Sequence, residues 1–153
     1  MRHLGGVRDE AAVSASFAQN GAAMAQGQIG FWTAVLKETG EPVGKCGLAP
    51  IAEPAAPQEL QGGVQIGWSL AEPYWRRGLA SEAARAVIGY GFGQLQLLAI
   101  WSQTSDSNRA SSRLMARLGL QRRPEHDYTD PAYPPEDNPT TIYRIDRAAW
   151  GGQ

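Results

Sequence analysis

Arg76-Arg77-Gly78 stands between an alternating run, Val64–Leu70, and an alanine-rich helical pattern that begins at Leu79. The first turn of a helix leaves backbone N–H groups without intrahelical acceptors and carries a partial positive charge, so phosphates settle there. Gly78 removes a side chain where a ligand must approach the backbone, and Ala80 keeps the neighbouring position small. Two guanidinium groups at the same point add full charges in the planar, forked form that suits phosphate oxygens. The chemistry available is therefore a diphosphate cradle. The same residues also fit an ordinary strand–helix turn with two exposed arginines. Neither the G-x-x-x-x-G-K-[ST] loop of nucleoside-triphosphate binders nor the three-glycine dinucleotide fingerprint is present.

The elements around that turn can be read from periodicity. Phe31–Lys37 and Val43–Leu48 are β-rich runs joined by a glycine-bearing link, which predicts a hairpin. Pro50, Pro54 and Pro57 make residues 50–63 a loop. In the run 64–70, Val64, Ile66, Trp68 and Leu70 share one face, the period of a half-buried strand. From Leu79 the period changes, and Ala80, Ala83, Ala84, Val87, Ile88 and Gly91 form one helical stripe of mostly small residues, suited to lying close on a sheet. Leu97–Trp101 is a continuous apolar run, as expected of a strand covered on both faces. Asn108 opens a second helix with Leu114, Met115 and Leu118 inward and Gly119 at its end. Its other side carries Arg109, Arg113 and Arg117, which read as a solvated face. Residues 121–139 form a long proline-rich stretch of the kind that carries function, and Thr140–Ile145 a last strand. Upstream, Asp9–Phe17 predicts a short helix. The order describes one mixed α/β domain over residues 1–153 with a strand–helix–strand crossover from 64 to 104.

Bulk properties narrow the function classes. A formal net charge of −1 supplies no field to hold nucleic acid or an anionic membrane, and 12 of the 14 basic residues are arginine. No apolar run reaches the length of a membrane span, and the first 30 residues lack the order of a signal peptide. The single Cys46 cannot form an internal disulfide and sits mid-strand, where it reads as a small buried hydrophobe; a cytoplasmic location is expected.

The stretch WSLAEPYWRRGLASEAARAVIGYGF, followed by SDSNRASSRLMARLGL, resembles the GCN5-related N-acetyltransferases (GNAT superfamily), most closely the branch that acetylates ribosomal-protein amino termini. AVLKETGEPVGKCGL and the closing TIYRIDRAAW match the same branch, so the resemblance runs over roughly residues 28–150. It implies a twisted mixed sheet with helices on both faces and a splay between two parallel central strands. The strand 64–70 would carry a bulge and diverge from the strand at 97–104, exposing backbone groups near Trp68 and Leu70 to the pantetheine arm of acetyl-CoA. Arg76, Arg77, Gly78, Leu79, Ala80 and Ser81 would hold the diphosphate; Asn108 would bond or order the arm, and Ser111 would lie by the thioester sulfur. The family's first strand and helices are missing from the matched part, which would expose a sheet edge and leave an incomplete acceptor pocket; a homodimer is one way to cover it.

The implied reaction is direct attack of a primary amine on the thioester. A base must deprotonate the amine, a backbone N–H must stabilise the oxyanion, and the leaving thiolate needs a proton. The family often has a tyrosine seven residues after the asparagine for that last step. Met115 stands there, so Ser111 is the expected donor. Glu125 and His126, just after the second helix, are the candidates for the base, with Tyr128, Tyr133 and Trp32 as possible rims of the acceptor site. Trp68, Trp75 and Trp101 read as core or rim aromatics. No metal is expected. Two other readings stand beside the enzyme: a non-catalytic acyl-CoA-binding module, and a plain structural α/β domain with incidental arginines.

Overall fold

The computed structural model describes residues 29–151. The expected helix at Asp9–Phe17 lies outside them. Six strands form one mixed sheet: β1 (Phe31–Val35), β2 (Pro42–Pro50), β3 (Val64–Leu70), β4 (Ala99–Ser105), β5 (Gln121–Arg122) and β6 (Thr140–Asp146), in the spatial order β1-β2-β3-β4-β6-β5. The helices are α1 (Leu79–Gly93), α2 (Arg109–Arg117) and a last short turn, α3 (Arg147–Trp150). All pairings are antiparallel except β3 with β4. The crossover β3–α1–β4 that the change of period predicts is present.

The helix stripe explains how α1 seats. Ala84, Val87, Ile88, Gly91 and Phe92 are buried, and a Cβ added at Gly91 would sit 2.8 Å from Ile100 Cδ1 and 3.3 Å from Leu48 Cδ1. A larger residue there would have to push the ends of those side chains aside. Leu48, Ile66, Ile88, Ile100 and Leu118 are sealed from solvent in the resulting core. Burial of each such side chain is worth about 1.5–3 kcal/mol. Leu114, Met115 and Leu118 of α2 join the same core, and Arg85 Nη2 of α1 donates to Arg117 O of α2 at 3.3 Å. Among the described residues both long helices therefore cover one face of the sheet. Among the described residues the other face carries loops and one-turn 3-10 segments, where Ile51, Ala56, Leu60 and Ile142 make a second, smaller core beneath Trp101 and Tyr128. The mixed sheet with helices packed on it is the expected fold class.

Two local expectations are corrected. Pairing of β3 with β2 is unbroken over seven positions, from Gly44↔Leu70 to Pro50↔Val64; the irregularity falls instead between β1 and β2, where Ala34↔Gly44 is followed by Val35↔Pro42 and Val43 of β2 is the extra residue. Strand β4 begins at Ala99 rather than Leu97, because Leu97 N donates to Gly91 O to finish α1 and Leu98 is 74% exposed. The long irregular stretch 121–139 contains the two-residue β5 and two 3-10 turns. Asn138 ties it together: its Oδ1 accepts from Asp130 N, and its Nδ2 donates to Asp130 O, Tyr133 O and Pro134 O at 3.1–3.2 Å.

Candidate active site

The parallel contact at the sheet's centre is the decisive geometry. β4 pairs with β6 at seven positions, but with β3 only at Gln65↔Trp101. Beyond that rung the strands part. Ser102, itself buried, donates its hydroxyl to Ile66 O at 3.0 Å, so a side chain takes the carbonyl that would carry the ladder onward. Backbone groups alternate sides along a strand. Ala71 N donates to Val43 O across β2, whereas Ile66 O and Leu70 O accept from the opposite side. By that alternation the N–H and C=O of Trp68 and the N–H of Leu70 turn toward the opened seam. The splay is where the sequence placed it.

At the mouth of the seam the chain turns into α1. A 3-10 turn, Glu72–Tyr74, leads to Arg76 with φ +61° and Gly78 with φ +75°, two left-handed residues on either side of Arg77. A non-glycine residue held left-handed costs about 1–2 kcal/mol and persists where the surroundings require it. A Cβ at Gly78 would meet nothing within 4 Å, so glycine is needed there for its φ, and the space before the turn is open. Glu82 N is the first amide of α1 to find a backbone carbonyl, Gly78 O at 3.0 Å, and Gly78 has no side chain with which to cap. The N–H groups of Leu79, Ala80 and Ser81 thus face outward from the helix head. Arg76 and Arg77 are exposed, with the Arg77 guanidinium 5.8 Å from the Tyr74 ring, and Tyr74 donates to Glu41.

The head of α2 closes the other side. Asn108 caps it, its Oδ1 accepting from Ser111 N at 3.2 Å. That bond orders the helix start, and leaves Nδ2 as the group available to a ligand. Half-buried Ser111 precedes Leu114, Met115 and Leu118 by three, four and seven residues, which places it on the sheet-facing side one turn nearer the seam. Met115 is only 1% exposed and belongs to the core.

His126 lies against β4 on the opposite face of the sheet. Its ring stands edge-on to Trp101, the last paired residue of β4, at a centroid distance of 5.5 Å, and its buried Nδ1 has no hydrogen-bond partner. The 3-10 turn Pro124–His126 is fixed by its neighbour: Asp127 pairs with Arg122 and accepts from Ile142 N at 3.1 Å. Glu125, on the same turn, is exposed. Tyr128 donates to Gln103 Oε1 at 2.8 Å, and burial, reinforced by the charges of Glu53 and Asp130, pushes its phenol well above the ordinary range. Tyr133 lines a cleft of about 360 Å³ with Glu53, Pro54 and Asp130. Trp32 is elsewhere. It packs edge-on to Tyr90 at 5.1 Å in a groove between β1 and α1, so the three aromatics do not share one rim. Trp75, read as a core or rim aromatic, is 57% exposed, and its indole N–H donates to Leu70 O at 2.8 Å. Sequence reading missed that bond and the one from Ser102, since both depend on which strand edge is left open. Among the described residues no group of three or more His, Cys, Asp or Glu side chains could hold a metal ion.

Comparison with known proteins agrees with this geometry. The profile of the acetyltransferase (GNAT) domain family matches residues 1–121, beginning upstream of the matched stretch read from motifs. The chain is 35% identical over 92 residues to the uncharacterised protein YkkB of Bacillus subtilis, covering 60% of this chain and 51% of that protein. It is 33% identical over 97 residues to the uncharacterised N-acetyltransferase p20 of Bacillus licheniformis, covering 63% and 51% respectively. The chain thus spans about half the length of these curated relatives. Among solved structures, an acetyltransferase of Agrobacterium tumefaciens superposes with a TM-score of 0.71 at 28% identity, over 94% of this chain and 76% of that one. A GNAT-family acetyltransferase of Bacillus anthracis shares the fold with a TM-score of 0.73 at 23% identity, over 97% and 81%. With the opened central seam, the turn at the head of α1 and the family match in accord, the chain belongs to the GNAT acetyltransferase family.

Proposed function

We propose that this chain is an N-acetyltransferase that moves the acetyl group of acetyl-CoA to a primary amine by direct attack in a ternary complex. The observation that carries the reading is the seam between β3 and β4, which opens immediately beside the arginine-bearing turn. The outward N–H groups of Leu79, Ala80 and Ser81, with Arg76 and Arg77, suit the diphosphate; the exposed edge at Trp68 and Leu70 suits an extended arm bearing amides. In this reading Asn108 Nδ2 orders that arm.

Three groups of this chain serve the chemistry. His126 accepts a proton from the amine, directly or through water, with Glu125 beside it at the solvent side. An N–H of the open β3 edge donates to the thioester oxygen as negative charge develops there. Ser111 gives the departing thiolate a hydrogen bond. The amine nitrogen gains the acetyl carbon, the C–S bond breaks, and the proton lost by nitrogen balances the thiol formed. The test is a free-thiol release assay with acetyl-CoA and a panel of primary amines. Amine-dependent thiol release supports the reading. Tight CoA binding without release for any amine would reduce the chain to a binding module, and neither binding nor release would contradict both.

A further inference from the structure

Trp75 is a large apolar side chain left 57% exposed, yet its indole N–H is aimed at one backbone carbonyl, Leu70 O, at 2.8 Å. That carbonyl is the last acceptor on the open edge of β3. It lies at the last register pair with β2, one residue before the closing bond from Ala71 N to Val43 O. The link between strand end and indole is short and itself bonded: Tyr74 N donates to Ala71 O at 3.0 Å and Trp75 N to Glu72 O at 3.1 Å. The next residue is Arg76, held left-handed at φ +61°.

Resting on the acetyltransferase reading, we infer that Trp75 is a positioning residue that fixes the diphosphate turn to the end of the β3 edge and closes that edge at Leu70. Two consequences follow physically. An extended ligand that adds to β3 meets the indole standing at Leu70 O, so its pairing stops at Trp68 C=O and the N–H of Leu70. The distance from that stop to the N–H groups at the head of α1 is held by the indole bond. A ligand that spans both parts depends on the spacing; a ligand that touches only the turn does not.

The experiment compares two ligands on the wild-type chain and on Trp75→Phe, which keeps a ring and removes the donor. Calorimetry would measure the Kd of CoA and of adenosine 3′-phosphate 5′-diphosphate, the nucleotide part alone, with a thermal melt of each protein. The loss of one hydrogen bond predicts a CoA Kd raised about 3- to 10-fold, with the nucleotide Kd changed by less than about twofold and little change in Tm. An unchanged CoA Kd would overturn the inference. So would an equal weakening of both ligands with a lowered Tm, which would make the indole bond merely structural. Wild-type protein that binds neither ligand would instead overturn the acetyltransferase reading.

Discussion

Single residues carry the sharpest commitments. Ser111 lies on the seam side of α2, and Met115, at the position where the family often has a proton donor, is buried in the core. Ser111→Ala is expected to lower kcat about 10- to 100-fold while KM for acetyl-CoA stays within about twofold, read from steady-state kinetics. A raised KM with unchanged kcat would make Ser111 a binding group only. Cys46 offers a test of burial. It is 3% exposed, and burial pushes its thiol from an ordinary 9.0 up to about 12. The folded state therefore holds a proton that the unfolded state releases above about pH 9, so this group's contribution to stability falls as pH rises between 9 and 12. One proton corresponds to about 1.4 kcal/mol per pH unit. Urea denaturation at pH 9 and above should show a steeper decline for the wild type than for Cys46→Ala. Parallel declines would mean the thiol is solvated.

Elements decide which parts of the site could be read in advance. The stripe Ala80–Gly91 specified both the existence of α1 and its close seat on the sheet, because small residues at helical spacing have few other uses. Asn108 and Gly119 bounded α2 for the same local reasons, a cap at one end and a left-handed residue at φ +87° at the other. Strand irregularities were not legible. The irregularity between β1 and β2 and the late start of β4 depend on partners far away in sequence. The residue types of the turn between β3 and α1 marked it as a candidate phosphate cradle, but its two left-handed residues were not legible. At this scale Arg76→Ala with Arg77→Ala should raise the Kd for CoA at least about tenfold, since both charge-assisted contacts are lost. The effect should shrink at high salt, because the arginines are exposed. Unchanged affinity would leave the helix head alone responsible.

The molecule as a whole divides its labour between two faces. The helical face carries the main core and the heads of α1 and α2; on the loop face His126 stands against Trp101 and Tyr128 donates to Gln103 of β4. The resemblance in motifs made the sheet, the crossover and the splay legible as a set, whereas the loop face was visible only as a proline-rich stretch with candidate residues in it. The reason is physical: residues 121–139 hold their shape through Asn138 and Asp127, side chains whose partners no periodicity announces. In the proposed reading the coenzyme enters along one face and the amine reaches the thioester from the other.

Hydrogen–deuterium exchange with and without saturating CoA tests that division most directly. Slowed exchange confined to the amides of Trp68, Leu70 and Leu79–Ser81 is the predicted result. Saturation by CoA that leaves those amides exchanging as in the free chain would contradict the account.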